Sequence, residues 1–216
     1  MHVIRMGYPV ILNLAGRSVL IVGAGAVCER KLRGLIGQGA RIAIVAPEFD
    51  DAVKKAAEAA GAEVRVREFR ADDLEGVFLA HACASDPSVN EAVLAEGESR
   101  GILVCRADRG GEGHFTTPAS FSRGSLQVSL STSGLSPTLA SVLLERIESA
   151  LAPELEGWAE LFGLLRVRVQ EIPDPRDRRA AVGAVMDDPD VACAVRSGNL
   201  AEARATAERL LGSRRT

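Results

Sequence analysis

The stretch Ser18-Val19-Leu20-Ile21-Val22-Gly23-Ala24-Gly25-Ala26-Val27-Cys28 decides the fold of this chain. Its first five residues are continuously apolar, as a strand buried on both faces of a parallel sheet should be. Two glycines follow at once, and a helix is predicted from them over 26–36. Its Val27, Leu32, Leu35 and Ile36 fall on one side and Glu29, Arg30, Lys31 and Arg33 largely on the other. Strand, Gly-x-Gly and helix in immediate succession form the setting of a dinucleotide-binding turn. Gly23 and Gly25 permit the tight bend and the close approach of a pyrophosphate to the backbone, while the helix N-terminus supplies amide donors and a partial positive charge. Cys28 stands where a third glycine or alanine is usual, and it is small enough for close helix packing. A purely structural strand-to-helix turn is the competing reading.

Working outward, apolar strand candidates alternate with helix candidates. A strand over 41–46 (RIAIVA) leads into an Ala-rich helix over 50–60 that stops at Gly61. Residues 63–69 alternate apolar and charged, which predicts an edge strand with one wet face. A strand over 77–84, a helix over 87–100 and a strand over 101–106 complete a doubly wound parallel sheet. Open sheets of this kind bind ligands at the carboxyl ends of their strands. Glu48, just past the second strand, is the candidate acid for ribose hydroxyls, with the main-chain turn at Pro47 beside it; a solvated loop residue is the alternative. No arginine follows Glu48 to hold a 2′-phosphate, which favours NAD over NADP. Ser85 and Asp86 follow the fourth strand. Asp108 follows the fifth and is the candidate reactive carboxylate, although an Asp before Arg-Gly-Gly is also a common turn former.

The polar, glycine-rich run 108–113 (DRGGEG) breaks the alternation and marks a domain boundary. Beyond it, LQVSLS (126–131) alternates as a strand, and Ser136-Pro137 opens a helix to about residue 151, with Ser as N-cap and Pro in the first turn. The loop Ser131-Thr132-Ser133-Gly134-Leu135-Ser136 feeds that helix and is a candidate seat for ligand carboxylates. Arg106, Arg109, Arg123 and Arg146 lie near these loops in sequence and suit carboxylates by their forked geometry. The rest reads as helices broken at Pro173-Asp174-Pro175 and Asp187-Asp188-Pro189, with Asn199 and Glu202 as a capping pair. Three parts follow: a Rossmann-like domain over 1–113, a small α+β segment over 114–152 and a helical domain over 153–216.

Composition excludes several classes. Of the 216 residues 47% are hydrophobic and 25% charged, an ordinary globular mixture. A net charge of −3 and a pI near 5.7 give no overall electrostatic reason to bind nucleic acid. The longest apolar run, 19–28, is about half the ~20 residues of a membrane span, and Arg5 with Pro9-Val10-Ile11-Leu12 makes no convincing leader. Cys28, Cys83, Cys105 and Cys193 form no CxxC pair, which fits free buried thiols in a reducing, cytoplasmic setting. His114 has no partner at metal-ligand spacing, so no metal site is expected.

Taken together, these residues resemble the precorrin-2 dehydrogenase and sirohydrochlorin ferrochelatase family, the N-terminal module of siroheme synthase. The likeness lies in Tyr8-Pro9-Val10, in Leu14-Ala15-Gly16-Arg17, in VLIVGAGAVCERK (19–31), and in Ala84-Ser85-Asp86 with Asn90. It continues through GILVCRAD (101–108), Phe115-Thr116-Thr117-Pro118-Ala119 and, most specifically, LSTSGLSPTLASVLLERIES (130–149). The resemblance implies NAD as cofactor, held against Ala26, Val27, Pro47 and Glu48 beside Gly23, Gly25 and Ser85. It implies Asp108 as the carboxylate required for oxidising precorrin-2 to sirohydrochlorin, in some members followed by Fe(II) insertion. It also implies a homodimer built through 115–150; Arg109, His114, Thr132, Ser133, Gly134 and Ser136 are the candidate substrate-binding residues, with an ordinary loop residue as the alternative for His114. This chain departs from the family at Gly23-Ala24-Gly25-Ala26, where Gly-Gly-Gly and an acidic residue are common, and at Arg106, where a small hydrophobic residue is. A nucleotide sensor without catalysis is the alternative reading; a methyltransferase is disfavoured because the chain is too short to add that domain.

Overall fold

The computed structural model describes residues 7–109 and 111–212; Arg5 and Gly110 lie outside them. In the N-terminal half β1 (Ser18–Val22), β2 (Arg41–Ala46), β3 (Glu63–Val66), β4 (Leu79–Ala82) and β5 (Leu103–Arg106) form one sheet in the order β3-β2-β1-β4-β5, parallel throughout. Helices α1 (Ala26–Leu35), α2 (Asp51–Ala60) and α3 (Pro87–Ser99) cross over between strands. The alternation inside β1 divides the core. Val19 and Ile21 pack with Cys28, Leu32, Leu35, Val53 and Ala57 from α1 and α2, whereas Leu20 and Val22 pack with Val93 and Leu94 from α3. The sheet is therefore covered on both faces, which is why its central strands carry no polar alternation.

Three strands are shorter than the 63–69, 77–84 and 101–106 expected. β4 is regular only where it pairs with β1, from Val19↔Leu79 to Val22↔Ala82. Its flanking residues still extend the ladder: the Phe78 amide donates to the Ser18 carbonyl and the Cys83 amide to the Val22 carbonyl, both at 2.9 Å. Partner length sets the strand ends here. Ile36, expected on the buried face of the first helix, instead caps α1 in an extended conformation and is 44% exposed. Edge strand β3 is fastened by Asp73, in a 3-10 turn at Ala71–Leu74, whose carboxylate accepts from Arg65 at 2.8 Å, from Arg67 at 2.5 and 2.8 Å and from the Arg70 amide at 2.9 Å.

The chain divides into two compact units. One runs through Thr117 and includes Ser133–Leu135; the other holds Pro118–Thr132 and Ser136 onward. The second unit contains a strand not expected from sequence, β6 (Ala119–Arg123), paired antiparallel with β7 (Leu126–Leu130) across Gly124-Ser125. Gly124 has φ 53°, a conformation that tight hairpin turns require. Helix α4 (Pro137–Ala150) packs on this hairpin. Helices α5 (Leu155–Gln170), α6 (Pro175–Asp187), α7 (Pro189–Arg196) and α8 (Leu200–Gly212) enclose a separate core around Trp158, Leu161, Leu165, Val185, Val191 and Ala207. Their starts are written in the sequence. Ser136, Asp174 and Asp188 accept amide hydrogens of the first turns with proline alongside, and Asn199 and Glu202 bond one another reciprocally. The hairpin and α4 thus share a unit with the helices after 153.

Candidate active site

The strand order reverses at β1: one crossover leads to β2 and the next connection to β4, leaving a crevice at the carboxyl ends of β1 and β4. Gly23 lies at the bottom of it with φ 107°. A Cβ there would stand 2.5 Å from the Cys83 carbonyl oxygen and 2.7 Å from the Ala84 amide, so the loop after β4 occupies the room a side chain would need. That loop is fixed by Asn90 of α3, fully buried, which donates through Nδ2 to the Ala84 carbonyl and accepts at Oδ1 from the Ala84 amide, each at 2.9 Å. Ser85 is exposed at the rim, and Asp86 caps α3 through the Ser88 amide and hydroxyl at 2.8 Å.

Gly25 differs from Gly23. It is the residue before α1, with ordinary extended dihedrals (φ −99°, ψ −167°), and a Cβ on it would meet only the Asp50 Oδ2 at 3.8 Å. The protein's own packing does not require glycine there. The space left above the α1 N-terminus, with Ala26 exposed and Val27 half-buried beside it, is a cradle of the kind a pyrophosphate fills. Cys28 is fully buried under this turn and serves the packing role of the usual third small residue. Pro47 and Glu48 are exposed after β2. The carboxylate nearest the glycine turn belongs instead to Asp50, which makes no capping bond to α2 although it precedes that helix. Sequence reading missed it because it placed Asp50 inside the helix over 50–60, whereas α2 begins at Asp51.

Asp108 stands just beyond β5, at the same edge of the sheet. Its carboxylate takes a forked pair of hydrogen bonds from Arg106, 2.9 Å from Nε and 3.2 Å from Nη2. Arg106 is 3% exposed and also reaches Glu91 Oε2 and, at 3.0 Å, Glu112 Oε2. The Arg106 guanidinium holds the Asp108 carboxyl below the usual carboxylate range, against a smaller opposing effect of burial. Arg109 next to it is exposed and only loosely paired, 3.6 Å from Glu112. His114 pairs with Val104 like a strand residue: its amide donates to the Val104 carbonyl at 2.8 Å, and its Nδ1 accepts from the Val104 amide at 3.2 Å, leaving the ring proton to Nε2.

Beneath the turn lies a group that sequence reading left out. His81 is 3% exposed, its Nδ1 has no partner, its ring meets the Phe115 ring edge-on at 5.5 Å, and burial, aided by the charge of Lys31, pushes its pKa down to about 3. Cys83 and Cys28 contact one another, which with burial pushes the Cys83 thiol up, and Lys31 Nζ lies 4.0 Å from Cys105 Sγ while donating to the Thr117 hydroxyl. All four cysteines are free; Cys193, expected buried, is exposed on α7.

Within the loop before α4, the Thr132 hydroxyl accepts from the Ser136 amide and donates to the Ser136 carbonyl, both at 3.1 Å, and Ser136 Oγ accepts from the Leu139 amide at 3.2 Å. Those two hydroxyls clamp the loop. Ser133 and Gly134 between them have φ 53° and 80°, and a serine in this region is a strained position of the kind that clusters at ligand sites. Arg123, read from sequence as a partner for substrate carboxylates, instead caps the end of α4, its Nη2 3.1 Å from the Glu148 carbonyl and its Nη1 3.5 Å from that of Leu151.

Comparison with known proteins matches three family models in sequence. One described as "Putative NAD(P)-binding" covers residues 10–119, just over half of the chain; "Sirohaem biosynthesis protein central" covers 123–150; "Sirohaem synthase dimerisation region" covers 154–211. The chain belongs to the siroheme-synthase family. As a member it is 34% identical over 215 residues to the siroheme synthase of Gluconacetobacter diazotrophicus, covering 97% of this chain and 45% of that one. It is 37% identical over 172 residues to that of Methylococcus capsulatus, covering 79% and 36%. The chain thus spans less than half the length of these curated relatives. A solved structure of SirC, a precorrin-2 dehydrogenase, superposes with a TM-score of 0.71 at 28% identity, covering 94% of this chain and all of that one. The siroheme-family dimerisation region lies at 154–211, C-terminal to the 115–150 segment from which a dimer was expected. Among the described residues no helix is long and apolar enough to cross a membrane.

Proposed function

We propose that this chain is an NAD-dependent precorrin-2 dehydrogenase acting in siroheme biosynthesis. The observation that carries this reading is the shared edge: the open cradle at Gly25 and the oriented carboxylate of Asp108 both lie at the carboxyl ends of one sheet. The SirC likeness extends over nearly the whole chain and supports the same activity. Gly23, Gly25, Ala26 and Val27 hold the pyrophosphate end of the dinucleotide, and Pro47, Glu48 and Ser85 line its path. Asp50 beside Gly25 adds a second acid, which would repel a 2′-phosphate and so favours NAD over NADP.

Bound NAD supplies the acceptor for the hydride. Oxidation of precorrin-2 to sirohydrochlorin removes two hydrogens, one as hydride and one as a proton. Asp108, kept ionised by Arg106, stabilises the positive charge that hydride loss leaves on the macrocycle and takes up the proton that follows. Arg109, the Nε2 of His114, Ser133 and Gly134, all within the first unit, orient the peripheral carboxylates of the substrate. The working form is a homodimer in the cytoplasm. The dimerisation region at 154–211 and the exposed apolar residues Leu139, Val142 and Leu143 of α4 support self-association.

Anaerobic incubation with precorrin-2 and NAD tests the proposal. One NADH per sirohydrochlorin is expected, and adding Fe(II) then shows whether the chain also inserts iron. NAD binding with no substrate-dependent NADH would contradict it and leave a nucleotide sensor.

A further inference from the structure

We propose that Arg106 is the positioning residue for Asp108, and that Glu91 and Glu112 hold Arg106 in place from the other side. The inference rests on the reading of Asp108 as the reactive carboxylate. Arg106 ends β5, two residues before Asp108, and its side chain is 1% exposed at the sheet edge where charge is expensive to bury. A buried guanidinium is retained when its donors are satisfied, and here every direction is used. The fork of Nε and Nη2 meets both oxygens of Asp108, Nη1 reaches Glu91 and Glu112, and Nη2 also lies 3.4 Å from the Pro87 carbonyl. The pair is bidentate on the Asp108 side, which fixes the plane of that carboxylate as well as its distance. Glu91 and Glu112 are about half exposed, so they anchor Arg106 from solvent while Asp108 is the more sheltered partner.

A side chain adjacent to Asp108 in the same strand register, had it been apolar, would leave the carboxylate to solvent and to Asn90, the other group from α3 that faces it. Arg106 replaces that freedom with one orientation. The charged groups around Asp108 are then Arg106 from β5, Glu91 from α3, and Arg109 and Glu112 from the following loop.

The test uses the full chain carrying Arg106→Met, Arg106→Lys or Asp108→Asn. Two quantities are read: the carbon-13 titration of the Asp108 carboxyl, assigned by its loss in Asp108→Asn, and the pH profile of kcat with NAD and precorrin-2. Arg106→Met is expected to raise the Asp108 titration by about one pH unit or more, the usual effect of removing an adjacent opposite charge. It should bring an acid limb into the kcat profile and lower kcat about tenfold at neutral pH, leaving Kd for NAD within about twofold; Arg106→Lys should recover most of kcat. An unmoved titration, or an unchanged kcat profile in Arg106→Met, overturns the proposal. If Arg106→Met does not fold, Glu91→Gln/Glu112→Gln gives the second test. With its two anchors gone, Arg106 should be free to leave Asp108, so kcat at neutral pH should fall several-fold with Kd for NAD within about twofold, and an unchanged kcat would overturn the proposal. Normal turnover in Asp108→Asn would instead remove the underlying reading, whatever the titrations show.

Discussion

Gly23 lies so close to the Cys83 carbonyl that a methyl group added to it would stand 2.5 Å from the oxygen. The first glycine of the turn is therefore required by the protein's own backbone, and only the second is left to a ligand. Gly23→Ala should lose about 3 kcal/mol or more of stability, from overpacking and from its φ of 107°. Gly25→Ala should change stability by under about 1 kcal/mol while weakening NAD at least tenfold, about 1.4 kcal/mol. Thermal unfolding and NAD titration of the two variants separate these effects; equal NAD affinity in Gly25→Ala would remove the cradle from the site.

His81 should make stability depend on pH. Its pKa in the folded chain is about 3, against an ordinary 6.5, so the unfolded chain binds the proton more readily. The stability it permits is complete above about pH 6.5 and declines as pH falls towards 3, by up to about 1.4 kcal/mol per pH unit for one group. Urea unfolding of wild type and His81→Leu across that range checks this, and equal slopes would contradict it.

Asp73 acts in a lower window. Arg67, then the Arg70 amide and Arg65, hold its pKa at about 2 against an ordinary 3.8, so its contribution is present above about pH 4 and is lost as pH falls towards 2. Asp73→Asn should cost about 2 kcal/mol at neutral pH, the scale of hydrogen bonds to charged groups. Hydrogen exchange should rise first in β3, the edge strand these bonds fasten.

Gly97 lets α3 approach β5. A Cβ there would fall 2.3 Å from Val104 Cγ2, and Val104 is fully buried. Gly97→Ala in a helix interior ordinarily gains up to about 1 kcal/mol; here it should lose about 1–3 kcal/mol by calorimetry. A stabilised variant would show that the interface relaxes.

Much of this was legible in the sequence. The buried strand 18–22, the strand 41–46 and the Ser136-Pro137 and Asn199/Glu202 helix starts depend on local pattern, and they fold as their residues predict. β6 was not legible, because ASFSR carries little β preference of its own and is held by pairing with β7. The site divides the same way. Gly-x-Gly and Asp108 are visible as motif and position, whereas the distinction between Gly23 and Gly25 depends on a loop sixty residues away. The Arg106 cluster likewise gathers Glu91, Asp108 and Glu112 through the fold, and Arg123 turned out to be a helix cap because α4 ends beside it.

The most direct measurement is NADH formation from precorrin-2 under anaerobic conditions at saturating NAD, in wild type and in Asp108→Asn side by side. The account predicts one NADH per precorrin-2 in the wild type and a rate at least about a hundredfold lower in the variant, with NAD affinity unchanged. Equal rates in the two proteins, or no NADH from the wild type, would contradict it.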